Sequence, residues 1–260
     1  MPDAGLSLGS YQKFVTFEKK EVSEIFIGAL VMGFIAGFAR WGAGNQVDFL
    51  LGIRNTLLGV GISLFVLFIF AFATKTSAVK RGYDAKFKLS YPMVIASMVI
   101  VFVSYGSIWF FPIGGVMMDT NKKLRLGMFR YQFNLKEQSL VNFFGPFAVL
   151  LSVFFIKTLA SLTNFAFIPE NILLDLIRIS VMFSLLIMLP IPGLNGLNIF
   201  FERPGKYFMY LGVIVGLSIS LFAIDNIFLS LLIGFIFAGV FLFLGLKLMD
   251  ALNAEKPKKK

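Results

Sequence analysis

The feature that most constrains this chain is a succession of apolar runs, near residues 25–39, 55–74, 91–111, 139–162, 172–190, 207–224 and 226–249. A helix needs about 20 residues to cross the roughly 30 Å hydrocarbon core of a bilayer, and most of these runs approach or reach that length. No water is available there to bond backbone N–H and C=O groups, so such runs must form helices or be covered by protein. Composition agrees. Hydrophobic residues make up 58% of the chain and charged residues 15%, Phe occurs 33 times, and mean hydropathy is +0.84, whereas a soluble domain carries roughly a quarter charged residues. The expectation is an all-α polytopic membrane protein.

Two absences narrow the chemistry. The chain has no cysteine and no histidine, which removes disulfides, thiolate sites and the commonest transition-metal ligands and leaves only oxygen-based sites for hard cations. No cofactor and no catalytic site are expected. The formal charge is +10, but the basic residues sit in loops and at the tail with no nucleic-acid module between them, so no nucleic acid is expected. Anionic lipid headgroups, which attract juxtamembrane Lys and Arg by about 1 kcal/mol each, are the expected surface partner. The polar stretch before Ser23 does not read as a cleavable signal peptide.

Charge also orders the runs. Suppose 91–111 dips into the membrane and returns, leaving six spans. All 24 basic residues except Arg40, Arg54, Lys157 and Arg178 then fall on one side, which the positive-inside rule makes cytoplasmic. A crossing at 91–111 would move Lys122 to Lys136, Arg203, Lys206 and the tail lysines across, and most basic residues would then lie outside. The segment is framed by Tyr91-Pro92 and Phe111-Pro112, holds the largely β-branched run Val99 to Val103, and is interrupted by Gly106. That pattern predicts a bent strand pair. The resulting division is a cytoplasmic segment 1–24, a membrane domain 25–249 and a basic cytoplasmic tail 250–260, in a multi-pass protein of the cell membrane with both termini inside.

Residues 189–196 read L-P-I-P-G-L-N-G, with Pro190, Pro192 and Gly196. They resemble the L-P-I-P-P-L-D-G signature of the site-2 protease family of intramembrane zinc metalloproteases. Gly145-Pro146 resembles the G-P-x-x-N element of that family's middle core helix. The stretch K-R-G-Y-D-A-K-F at 80–87 resembles the segment just after the family's H-E-x-x-H helix. The resemblance covers about 55–200 and implies a site-2-protease-like core with a membrane-associated β-loop at the re-entrant segment.

The resemblance also implies where zinc chemistry has gone. Its register puts Phe70, Ala71 and Thr74 at the His, Glu and His of H-E-x-x-H, where i and i+4 ligands share a helix face. Asn195 stands at the Asp ligand, Val149 at the Asn of G-P-x-x-N, and Ile187 where an Asn often precedes L-P-I-P. The implied protein is a catalytically inactive homologue, not an enzyme and free of metal. It would bind or scaffold other integral membrane proteins, as a subunit of a larger complex.

Other features have two readings each. Lys157, Asp175 and Arg178 lie within apolar runs and are either structural ion pairs or the relay of a transporter or channel subunit. A third class is a surface scaffold whose basic loops and tail hold anionic lipid or a ribosome. Ser77 and Lys80 are a Ser-Lys dyad or a solvated helix end. Gly33-x-x-x-Gly37 and Gly212-x-x-x-Gly216 pack helices within the fold or between subunits. Arg40-Trp41 reads as an interface anchor. Asn45, Asn195 and Asn198 are candidates for bonds between helices, with Asn195 expected to cap the broken span.

Overall fold

The computed structural model describes residues 15–42, 48–81, 83–120, 135–163 and 168–223, with scattered positions from 232 to 247. Asn45, the loop from Lys122 to Arg130, most of the run at 226–249 and the tail 250–260 lie outside the described residues. The described chain is mostly helical: α1 (Lys19–Gly37), α2 (Phe49–Lys80), β1 (Tyr83–Leu89), α3 (Tyr91–Val103), β2 (Gly114–Thr120), α4 (Leu135–Leu162), α5 (Glu170–Ile187), α6 (Asn195–Glu202) and α7 (Pro204–Ala223). Lys19–Arg40, Phe49–Lys80, Leu135–Leu162 and Pro204–Phe222 are the four helical stretches, among the described residues, long and apolar enough to cross a membrane. This is an α-helical membrane protein. Helix α5 has 18 residues but carries Glu170, Asp175 and Arg178.

Helices α1 and α2 form a tight hairpin through glycines. A Cβ on Gly33 would lie 2.5 Å from Val60 Cα, and one on Gly37 would meet Thr56. This motif therefore packs helices within the chain, as does Gly212 against Phe241. The N-terminus of α2 is capped by Asp48, whose carboxylate accepts from the N–H of Leu50 at 3.0 Å and of Leu51 at 3.1 Å, covering donors that a helix start leaves unpaired.

Strands β1 and β2 pair antiparallel, with Phe87 opposite Val116 and Leu89 opposite Gly114. Side chains close both outer edges of this sheet. Glu21 and Glu24 of α1 accept from Phe87 N–H at 3.1 Å and Leu89 N–H at 2.9 Å, and Asn195 accepts from Val116 N–H at 2.9 Å. Glu21 also pairs at 2.5 Å with Lys75, both side chains almost fully buried, and Lys75 lies over the Phe17 ring.

Between the strands, residues 91–113 leave the sheet and return to it, with Ser90 N–H bonded to Ile113 C=O at 2.9 Å. The expected strand pair is corrected here: the outward limb is helix α3, and the strands flank it. Pro92 occupies a first-turn position, where proline's missing N–H costs nothing. A helix satisfies its own backbone, which outweighs β-propensity where lipid faces the chain. The far end of this excursion lies beside the other end of α1, since Phe102 packs on Phe34 and Phe38 and the Arg40 guanidinium sits 5.7 Å from the Trp109 ring. From Glu24 to Arg40 is about 24 Å at 1.5 Å per residue, a length close to the roughly 30 Å thickness of a bilayer core. The return passes through Phe111 and Ile113, both fully buried.

Candidate functional site

The positions singled out from the sequence meet where α2, α4, α5 and α6 converge. Phe70, Ala71 and Thr74 lie on the inward face of α2, all buried. Gly145 of α4 faces them, and a Cβ there would lie 2.5 Å from Phe70 Cε2 and also strike the Thr74 hydroxyl. The absent side chain at 145 is what admits the Phe70 ring. That ring stands edge-on to Phe183 of α5 at 5.2 Å and to Phe87 of β1 at 6.2 Å, and Val149 and Ile187 join the same apolar core. Helix α4 continues through Pro146, while the Ser184 hydroxyl donates to the Pro146 carbonyl at 3.4 Å.

The L-P-I-P-G-L-N-G stretch breaks the chain between α5 and α6. Helix α5 ends at Ile187, Pro190 and Pro192 prevent its continuation, and Gly193 takes φ +90°, a left-handed value that glycine adopts without strain. Gly196 lets α6 press against the last turn of α5, since a Cβ there would overlap the Met188 carbonyl. Asn195 is fully buried at the start of α6. Contrary to expectation, its side chain makes no capping bond. It bridges instead, accepting from Val116 N–H of β2 and donating from Nδ2 to the Asn142 carbonyl of α4 at 3.0 Å. Sheet pairing reaches Asn195 first because Val116 otherwise has a buried donor without a partner.

Asn142, which no motif had marked, completes the junction. It is fully buried, one turn from Gly145, and both atoms of its side-chain amide lack a partner among the described residues. The Thr74 hydroxyl donates to Phe70 C=O at 2.7 Å, so neither Thr74 nor Asn195 presents a spare donor set. Among the described residues no cluster of three or more His, Cys, Asp or Glu side chains is placed to hold a metal ion.

The charged candidates are not gathered into one site. Asp175 pairs with Arg40, not with Arg178: Nη1 and Nη2 of Arg40 donate to its two oxygens at 2.5 and 2.7 Å. The i, i+3 pairing loses because Arg40 offers a planar fork that matches both carboxylate oxygens, whereas Arg178 points outward on the exposed face of α5. Lys157 donates to the Leu221 carbonyl of α7 at 3.0 Å. The Ser77 hydroxyl accepts from Arg81 at 2.6 Å, Arg81 pairs with Glu137 at 2.8 Å, and Lys80 is exposed, so Ser77 and Lys80 make no dyad. Sequence reasoning missed Glu21, Glu24 and Lys75 as well as Asn142. Two glutamates at i, i+3 at the mouth of an apolar run were the available signal, because they share one face of the helix.

Compared with protein-family models, with curated proteins and with solved structures, the chain has no match in any of the three.

Proposed function

We propose that the chain is a noncatalytic, site-2-protease-like membrane protein that binds and organises other integral membrane proteins as a subunit of a larger complex. One observation carries the reading. At the junction where the resemblance would put a zinc site, a phenylalanine ring, a self-bonded threonine and a bridging asparagine fill the space. Zinc catalysis needs imidazole or carboxylate ligands and an open coordination position, and a packed junction provides a rigid frame without either. Six spans with both termini cytoplasmic belong to the same reading. They are supported by the distribution of basic residues and by the hydrogen bond joining Ser90 to Ile113 at the base of the excursion.

Metal analysis of protein purified without chelator, together with crosslinking in the native membrane, tests this. The expected results are zinc far below one equivalent and recovery of integral membrane proteins in fixed ratio. Stoichiometric zinc removed by chelation overturns the noncatalytic part. A chain that crosslinks to nothing and runs as a monomer overturns the scaffolding part.

A further inference from the structure

Two recesses flank the sheet, and their charges differ. The first, about 430 Å³, is lined by Glu18, Glu21, Glu24 and Asp84 together with Lys20, Lys86 and Lys88. Its carboxylates include two in ion pairs, Glu18 with Lys86 across the recess and Glu21 with Lys75 outside its lining. The second, about 350 Å³, lies between the start of α3 and the turn before α6, and Lys88, Ser90, Tyr91, Gly193 and Asn198 line it with no carboxylate among the lining residues. Lys88 borders both recesses, is exposed, and makes no ion pair among the described residues. A lysine, a serine, a tyrosine and an asparagine thus line a space with no carboxylate among its described residues, and their complement is an anion that only accepts hydrogen bonds, such as a phosphate diester.

The neighbouring surface says which phosphate. Tyr91 and Pro92 at the start of α3 line the recess, and from there Tyr91, Ile95, Val99 and Phe102 are 65%, 64%, 55% and 56% exposed. Their spacing places them on one helix face, an apolar track about 16 Å long, which is about half the hydrocarbon core and so the depth of one leaflet. A lysine and a tyrosine at one end of such a track sit where a membrane interface holds them. We propose that this recess binds the headgroup of an anionic phospholipid whose acyl chain lies along the exposed face of α3. The recess borders that junction at Val116, Gly193 and Leu194, but Lys88, Ser90 and Tyr91 are not among the groups that fill it, so the site does not depend on the pseudoprotease reading.

The test uses the full chain in phosphatidylcholine nanodiscs containing a minor share of phosphatidylglycerol, with retained lipid counted by native mass spectrometry. Wild type retains phosphatidylglycerol in preference to phosphatidylcholine. Lys88→Gln lowers that retention about fivefold, equivalent to about 1 kcal/mol at 1.4 kcal/mol per tenfold, whereas Lys20→Gln in the other recess leaves it unchanged. Ile95→Ser with Val99→Ser lowers it further, and inorganic phosphate does not displace the lipid. Equal retention of the two lipids, or unchanged retention in Lys88→Gln, overturns the proposal; because Lys88 is exposed, that variant keeps the fold and the outcome is readable. Displacement by inorganic phosphate at matching concentration overturns the lipid assignment in favour of a soluble phosphate ligand.

Discussion

Asn142 and Asn195 are both fully buried and adjacent, yet their side chains do opposite things for the fold. The Asn195 amide accepts the Val116 N–H and donates to a carbonyl, while the Asn142 amide has no partner among the described residues. Removing one partner of a buried pair costs about 1–3 kcal/mol, whereas removing an unpaired polar group costs little. Asn195→Leu is therefore expected to lower stability by about 1–3 kcal/mol, and Asn142→Leu to leave it unchanged or raise it, as measured by denaturant titration in micelles. Equal losses in the two variants would show that Asn142 has a partner of its own. Only Asn195 was legible in the sequence, because a signature marked it. Asn142 looks like any polar residue in a helix until tertiary packing isolates it.

Among the elements, α3 depended most on context. Its β-branched run favours a strand, but Pro92 starts a helix and residues 104–106 stop it: Gly106 N–H bonds Val101 C=O at 2.9 Å and Tyr105 N–H bonds Phe102 C=O at 3.3 Å. This is a Schellman-type stop in which Tyr105, at φ +52°, holds the left-handed position, a conformation that costs a residue with a side chain about 1–2 kcal/mol. Tyr105 is 84% exposed, so Tyr105→Gly loses no packing and should stabilise the chain by about 1 kcal/mol, read as a raised unfolding midpoint. At the other end of α1, the Glu18 carboxyl is held below its usual 4.5 by the hydrogen bond and charge of Lys86. Lys86 is held above 10.5 mainly by the same bond. The tether is therefore present between those values, lost as pH falls through the lowered carboxyl value and lost as pH rises through the raised ammonium value. Thermal unfolding of wild type and Glu18→Gln should differ near neutrality and converge under acid.

For the whole molecule, the decisive quantity is the direction in which residues 91–113 leave and re-enter the sheet. Reporter fusions after Asp119 and after Lys260 should both register cytoplasm; both registering the opposite side would mean that this segment crosses. The Lys75–Glu21 pair gives a second check on the assembly, since it joins α1 to α2 and Glu21 carries the edge of β1 as well. Breaking a buried pair from one side costs about 3–5 kcal/mol, so Lys75→Met should destabilise more than the double variant Lys75→Met, Glu21→Gln, in which no buried charge is left alone.

The sequence by itself determined membrane residence, the absence of imidazole and thiolate chemistry, and the break at residues 189–196. Each follows from composition or from local backbone constraint, which need no neighbours. Tertiary structure decided that 91–103 is a helix, that Asn195 bridges a strand to a helix, and that Asp175 belongs to Arg40. Those outcomes depend on which distant group reaches a buried donor or charge first, and residue spacing along a chain does not carry that information.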